Sequence, residues 1–235
     1  MWWDRSEHLD AYLAPSLVGS GAGAASSGHW RACVGLEDAL GELRRRIDDR
    51  PGRLRLRIRL GSTLARPWML PADCGARDAR EVAALAAMLA QDVTGESDAK
   101  VWCAPWRPGR PTLSAAVGGS AWRAIEAIAD GRRVRLVSVR PWWNAALDDA
   151  LARSREHAPA IGLTLREPDG LVSARVERGQ VIEAAFESPK GHDPEWHLLR
   201  RRLAANWHEL EAVEHADFAP EGATGALRPA QGVRA

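Results

Sequence analysis

The sequence predicts a mixed α/β protein in two lobes. Apolar residues alternate with a period of two over 53–60 and recur at helical spacing in several other stretches. The order of strands and helices also changes character near Arg155. A chain of 235 residues has the volume for one large domain or two modest lobes. Its 46% hydrophobic and 27% charged residues suit a soluble globular protein and exclude collagen, bulk disorder and a disulfide scaffold. With 32 basic and 31 acidic residues the net charge is +1, so charge alone proposes neither nucleic acid nor an anionic membrane as partner.

Residues 9–18 read as an opening strand, and the glycines of 19–28 as a flexible loop. A short strand is expected over 30–34. Leu36, Leu40, Leu43 and Ile47 then recur at helical spacing, ended by Asp48, Pro51 and Gly52. The clearest strand is 53–60, with Leu54, Leu56, Ile58 and Leu60 on one face and Arg53, Arg55, Arg57 and Arg59 on the other. Gly61 and Ser62 turn the chain into a second strand over 63–70, where Pro67 demands an edge or a bulge. Val82, Leu85, Ala86 and Leu89 mark a helix over 78–93, stopped by Gly95. Strands over 100–106 and 112–117 flank a turn at 107–110. Gly118, Gly119 and Ser120 open a helix carrying Trp122, Ile125 and Ile128, ended by Gly131. Residues 133–139 form a strand, and Pro141 starts a helix through Trp143, Leu147 and Leu151, because proline suits a first helical turn.

After Arg155 three strands follow, over 160–166, 171–177 and 180–186, with turns at 168–170 and 178–179. A helix carrying Leu199, Leu203 and Trp207 and a short strand over 209–215 complete the order. A three-strand meander followed by a helix and a strand is the opening of a ribonuclease-H-like fold. The expected domains are a first lobe over 1–155, a shorter ribonuclease-H-like lobe over 156–217 and a disordered tail over 218–235, rich in Ala, Gly and Pro.

The positive charge is almost all arginine, with only Lys100 and Lys190 as lysines. Trp2 and Trp3, and Trp142 and Trp143, are adjacent pairs among eleven tryptophans. Neighbours cannot share one face of a helix or strand, so one of each pair belongs near a surface or seam. Cys33, Cys74 and Cys103 are odd in number, widely spaced and form no CxxC, which points to a reducing cytoplasm. The uncharged run over 11–30 is too polar and too broken by Pro15 and glycines to span a bilayer. Asp4 and Glu7 beside Arg5 do not make a signal peptide. A cytoplasmic protein is expected, reaching any membrane through a partner.

Several stretches carry a family resemblance: "RLRIRLGSTLARPWMLP", "EVAALAAMLAQDVTG", "KVWCAPW" and "TLSAAVGGSAWRAIEAIADGRRVRLVSVRPWWNAAL". In this order they resemble the cytoplasmic actin-like proteins of type IV pilus assembly and type II secretion, the PilM-like and GspL-like proteins. The resemblance implies a two-lobed actin-like fold of mixed sheets flanked by helices. It implies a non-catalytic scaffold of an inner-membrane platform, whose partner is an inner-membrane or assembly-ATPase component. Self-association into a homo-oligomer is compatible with it. The alternative is a nucleotide-binding ATPase of the actin, Hsp70 and sugar-kinase group with degenerate phosphate loops. Actin-like nucleotide sites use an Asp-x-Gly turn after the first strand of each lobe. Here the strands offer Asp10-Ala11-Tyr12, without glycine, and Ala160-Ile161-Gly162, without the acid, leaving Thr164 as a lone hydroxyl.

Other constellations are weaker. Gly19-Ser20-Gly21-Ala22-Gly23 lacks the Lys-Ser/Thr of a phosphate loop. His192, His197, His208 and His215 cluster near the C-terminus, but on one helix His197 and His208 would sit three turns apart, too distant to share a metal, and His192 with Glu195 is a weak ligand pair. Asp148 and Asp149 are adjacent, whereas a two-metal nuclease needs separated carboxylates on several strands. No catalytic, cofactor or metal residue is assigned. The arginine stripe has no aromatic residue alternating with it along the strand and the whole chain is near neutral, so a solvated face, or one paired with acids on a neighbouring strand, is favoured over nucleic acid, with a protein partner of acidic surface between these readings. Arg55, Arg57, Trp142 and Trp143 are the candidate partner-binding residues.

Overall fold

A computed structural model describes residues 7–21, 29–130, 133–144, 147–148, 151–152, 160–167, 170–187 and 212–217. The expected lobe seam at 154–159, the helix of Leu199 and Trp207, the histidines at 192, 197 and 208, and the tail from 218 lie outside the described residues.

The first sheet contains β1 (Glu7–Ala14), β2 (Leu17–Gly21), β3 (His29–Ala32), β4 (Leu54–Leu60) and β8 (Val134–Pro141), in the order β3-β2-β1-β4-β8. β1, β2 and β3 form an antiparallel meander, and β4 and β8 run parallel to β1. Three antiparallel strands extended by two parallel ones is the ribonuclease-H-like arrangement, which the sequence reading places in the second lobe only. The parallel pairs need crossovers, which α1 (Leu36–Asp48) and α3 (Gly119–Ile128) supply. Leu43 and Ile47 of α1 and Ile125 of α3 meet Leu54, Leu56, Ile58 and Leu60 of β4 in one core. Each of those β4 side chains is at most 2% exposed. Burying them contributes about 1.5–3 kcal/mol apiece.

Glu42 is buried on α1, and Arg31 of β3 and Arg45 and Arg46 of α1 converge on its carboxylate. Burial alone would push this carboxyl up; hydrogen bonds from Arg45, Arg46 and Arg31 outweigh it and hold the carboxyl at about 2.

Between β4 and α3 the chain inserts β5 (Arg66–Leu70), α2 (Ala79–Thr94), β6 (Lys100–Cys103) and β7 (Thr112–Val117), whose strands form an antiparallel sheet β5-β7-β6. Asp78 Oδ1 caps α2 by accepting the N–H groups of Arg80 and Glu81 at 2.8 and 2.9 Å, and Gly95 ends it at φ 77. Pro67 does sit in an edge strand. The third sheet has β9 (Ala160–Glu167), β10 (Gly170–Glu177), β11 (Gln180–Glu187) and β12 (Ala212–Asp217), in the order β11-β10-β9-β12, with β12 parallel to β9. It repeats the first four strands of the first sheet. Leu113 and Ala115 of β7 share a core with Val172, Ala174 and Val176 of β10 and with Trp143 and Leu147. β5 and β11 lie against each other, with the Arg66 guanidinium 6.0 Å from the Phe186 ring centroid.

Boundaries differ from expectation in several places, β12 among them, which runs to Asp217 where residue 215 is expected as the end. The opening strand breaks at Pro15-Ser16, and β2 runs through Gly19 and Ser20 to Gly21, which the sequence predicts as loop. Gly19 is needed there because a Cβ would lie 2.2 Å from the Trp30 ring. The strand expected from residue 63 begins at Arg66, because Leu64 and Ala65 donate back to the Gly61 carbonyl at 3.0 and 2.9 Å in a turn. The strand expected to residue 106 ends at Cys103, ahead of Pro105. Pro141 ends β8 opposite Leu60, and helical residues begin at Trp143. β8 is an edge strand, where a missing N–H is tolerated.

Candidate partner-binding site

Two polar regions arise where β1, β4 and β8 run side by side. The first lies at their carboxyl ends, where both lobes meet. Tyr12 Oη donates to Glu167 Oε2 at 2.9 Å, and the Ser62 backbone N–H donates to the same oxygen at 2.7 Å. Glu167 ends β9, is 4% exposed, and pairs with Gly170, the first residue of β10. A Cβ on Gly61 would lie 2.6 Å from Tyr12 Oη and 3.1 Å from Glu167 Oε2, so only glycine lets β4 exit past this pair. The Tyr12 ring packs against Trp30 at 5.9 Å and edge-on against Trp142 at 6.5 Å.

The adjacent tryptophans therefore divide. Trp143 is 3% exposed, lies in the core shared by the inserted and third sheets, and donates its Nε1–H to the Ala65 carbonyl at 3.1 Å. It presents no surface to a partner. Trp142 is half-buried beside Tyr12, and its N–H bonds the Leu60 carbonyl at 2.7 Å.

The second region is the face of the first sheet turned away from α1 and α3. Strand register puts His8, Arg55 and Arg135 in one row, Asp10, Arg57 and Ser138 in the next, and Tyr12, Arg59 and Arg140 in a third. Arg57, Arg59, Arg135 and Arg140 are exposed and Arg55 is half-buried. One weak ion pair forms here, Arg57 Nη1 to Asp10 Oδ1 at 4.0 Å. Among the described residues, Arg55, Arg59, Arg135 and Arg140 meet no carboxylate at ion-pair distance. Val137, at a register shift of β8, is 45% exposed on the same strand.

The sequence reading names Arg55 and Arg57 but misses Arg135 and Arg140. The alternation in "RVRLVSVR" was the available signal, but only the parallel pairing of β4 with β8 brings those arginines beside Arg55 and Arg59. Glu167 was missed because its partners are 155 and 105 residues away in sequence. Among the described residues no group of three His, Cys, Asp or Glu side chains gathers to hold a metal, and no helix is long and apolar enough to cross a membrane.

No protein-family model and no curated protein matches the chain. Solved structures do. A Bacteroides thetaiotaomicron protein with an actin-like ATPase fold and unknown function aligns at 11% identity and a TM-score of 0.57, over 92% of this chain and 83% of that one. A chain of the PilM–PilN type IV pilus biogenesis complex aligns at 12% identity and 0.55, over 87% and 66%. The cytoplasmic domain of EpsL, an inner-membrane component of the Vibrio cholerae type II secretion system, aligns at 15% identity and 0.50, over 92% and 84%. At such identities the likeness is one of fold, and the fold is actin-like.

Proposed function

We propose that this chain is a non-catalytic cytoplasmic scaffold of a bacterial type IV pilus or type II secretion platform, built to hold a partner protein. The observation that carries the reading is the closed seam. In the actin-like fold a nucleotide's phosphates are held by the first hairpin of each lobe. Here the two hairpin strands are tied to each other through Tyr12 and Glu167, with the Ser62 N–H on the same carboxylate. A phosphate brought to this point would meet the Glu167 carboxylate in place of free N–H donors. The fold shared with PilM and the EpsL cytoplasmic domain supports the setting. The lobes proposed over 1–155 and 156–217, and Trp142 and the arginine face as contact surfaces, belong to the same reading.

The test is capture from bacterial membranes on the immobilised full chain. Recovery of pilus or secretion inner-membrane components, or their assembly ATPase, is expected. Recovery of none of these by a folded chain contradicts the proposal.

A further inference from the structure

We propose that the open face of the first sheet docks an extended acidic segment of the partner protein, with Arg55, Arg57, Arg59, Arg135 and Arg140 as the receiving side chains. This deepens the scaffold reading and rests on it. Alternate residues of β4 place Arg55, Arg57 and Arg59 about 6.6 Å apart, and β8 sets Arg135 and Arg140 about 4.8 Å to the side. An extended segment with acids at every second residue presents carboxylates at the same interval. A guanidinium donates two parallel N–H bonds to one carboxylate, which a lysine cannot do. Against these five cations Asp10, at a loose 4.0 Å from Arg57, is the one carboxylate on the face among the described residues. Exposed Val137 adds an apolar contact beside the cations.

Charge sign alone fits nucleic acid as well, and the rings decide between them. Sequence-tolerant binding of single strands relies on aromatic faces that stack bases. Tyr12, on this face beside Arg59, is 5% exposed, bonded to Glu167 and packed between Trp30 and Trp142. Its ring is already used inside the fold; Trp30, in the same row, and Trp142 are half-buried against it, so among the described residues no fully exposed Phe, Tyr or Trp ring lies beside the arginines.

The experiment measures fluorescence anisotropy of three labelled probes with the full chain at low salt: a short alternating Glu-Val peptide, the matching Lys-Val peptide, and a short oligo-dT. The Glu-Val peptide binds and the Lys-Val peptide does not. Its affinity falls roughly tenfold or more toward physiological salt, and by a similar factor in Arg57→Glu with Arg59→Glu or in Arg135→Glu with Arg140→Glu. Neutral Arg57→Gln with Arg59→Gln serves if charge reversal disturbs the circular dichroism. Tighter binding of oligo-dT, lost in the same variants, would assign the face to nucleic acid and overturn the proposal. So would no binding of the Glu-Val peptide, or binding indifferent to these variants. Membrane capture repeated with the variants separates the two claims. Machine components retained equally by parent and variants sink the docking face and leave the scaffold reading intact. Peptide binding as expected, with no such component captured, sinks the scaffold reading and leaves the face.

Discussion

Tyr12 and Asp10 stand two residues apart on β1, on the same face of one sheet, and their surroundings are built in opposite ways. Tyr12 ends against Glu167 and Ser62 in a buried seam, with tryptophan rings on either side. Asp10 lies at the edge of an open arginine field where, among the described residues, guanidinium groups outnumber carboxylates five to one. Low dielectric makes polar groups in the seam costly unless bonded; the fold bonds the Tyr12 hydroxyl and the Ser62 N–H to Glu167, and the buried Ser62 hydroxyl has no hydrogen-bond partner among the described residues. Water makes the arginine field cheap to leave open. A polar cluster bonded internally and buried serves the architecture; one left open to solvent is available to something else.

The seam should therefore respond to mutation far more than the face. Glu167→Ala removes the acceptor of two buried donors and is expected to cost about 1–3 kcal/mol, read as a lowered denaturant midpoint. Tyr12→Phe, which leaves Ser62 its partner, should cost about 1 kcal/mol. If both variants match the parent, the seam is not what joins the lobes.

Glu42 sharpens the comparison, because it is a third arrangement: a buried carboxylate whose partners Arg31 and Arg45 reach solvent. Its folded carboxyl, held at about 2, lies below the unfolded value. Its contribution is thus full above about pH 4.3 and lost as pH falls toward 2. The stability gap between parent and Glu42→Gln should narrow across that interval. A gap that stays constant would show that the three arginines do not act through its charge.

The smallest effect belongs to the face. Arg57→Glu with Arg59→Glu should leave the unfolding free energy within about 0.5 kcal/mol of the parent, since both side chains are exposed. A loss comparable to that of Glu167→Ala would mean the arginines are structural and would end the case for a docking surface.

How much of this was legible in the sequence follows from distance along the chain. The two faces of β4 are written in consecutive residues, so leucines inside and arginines outside could be read directly. The capped ends of α2 at Asp78 and Gly95 were equally local. The break between β1 and β2 was obscured by a long uncharged run in which Pro15 was the one marker, and Gly19 looked like a loop residue until Trp30 was seen lying on it. Pro141 suits both a helix start and the end of an edge strand; the ladder with Leu60 decided. The arginine field and the Glu167 seam depend on pairings across many tens of residues, which no local period encodes.

The central claim is that the meeting point of the lobes is packing, with no place for a nucleotide's phosphates. Calorimetric titration of the full chain with ATP and Mg²⁺ tests it most directly. The account predicts no binding tighter than about millimolar, near −4 kcal/mol. A micromolar affinity, near −8 kcal/mol, weakened in a variant at Tyr12 or Ser62, would contradict it and favour a nucleotide-binding ATPase.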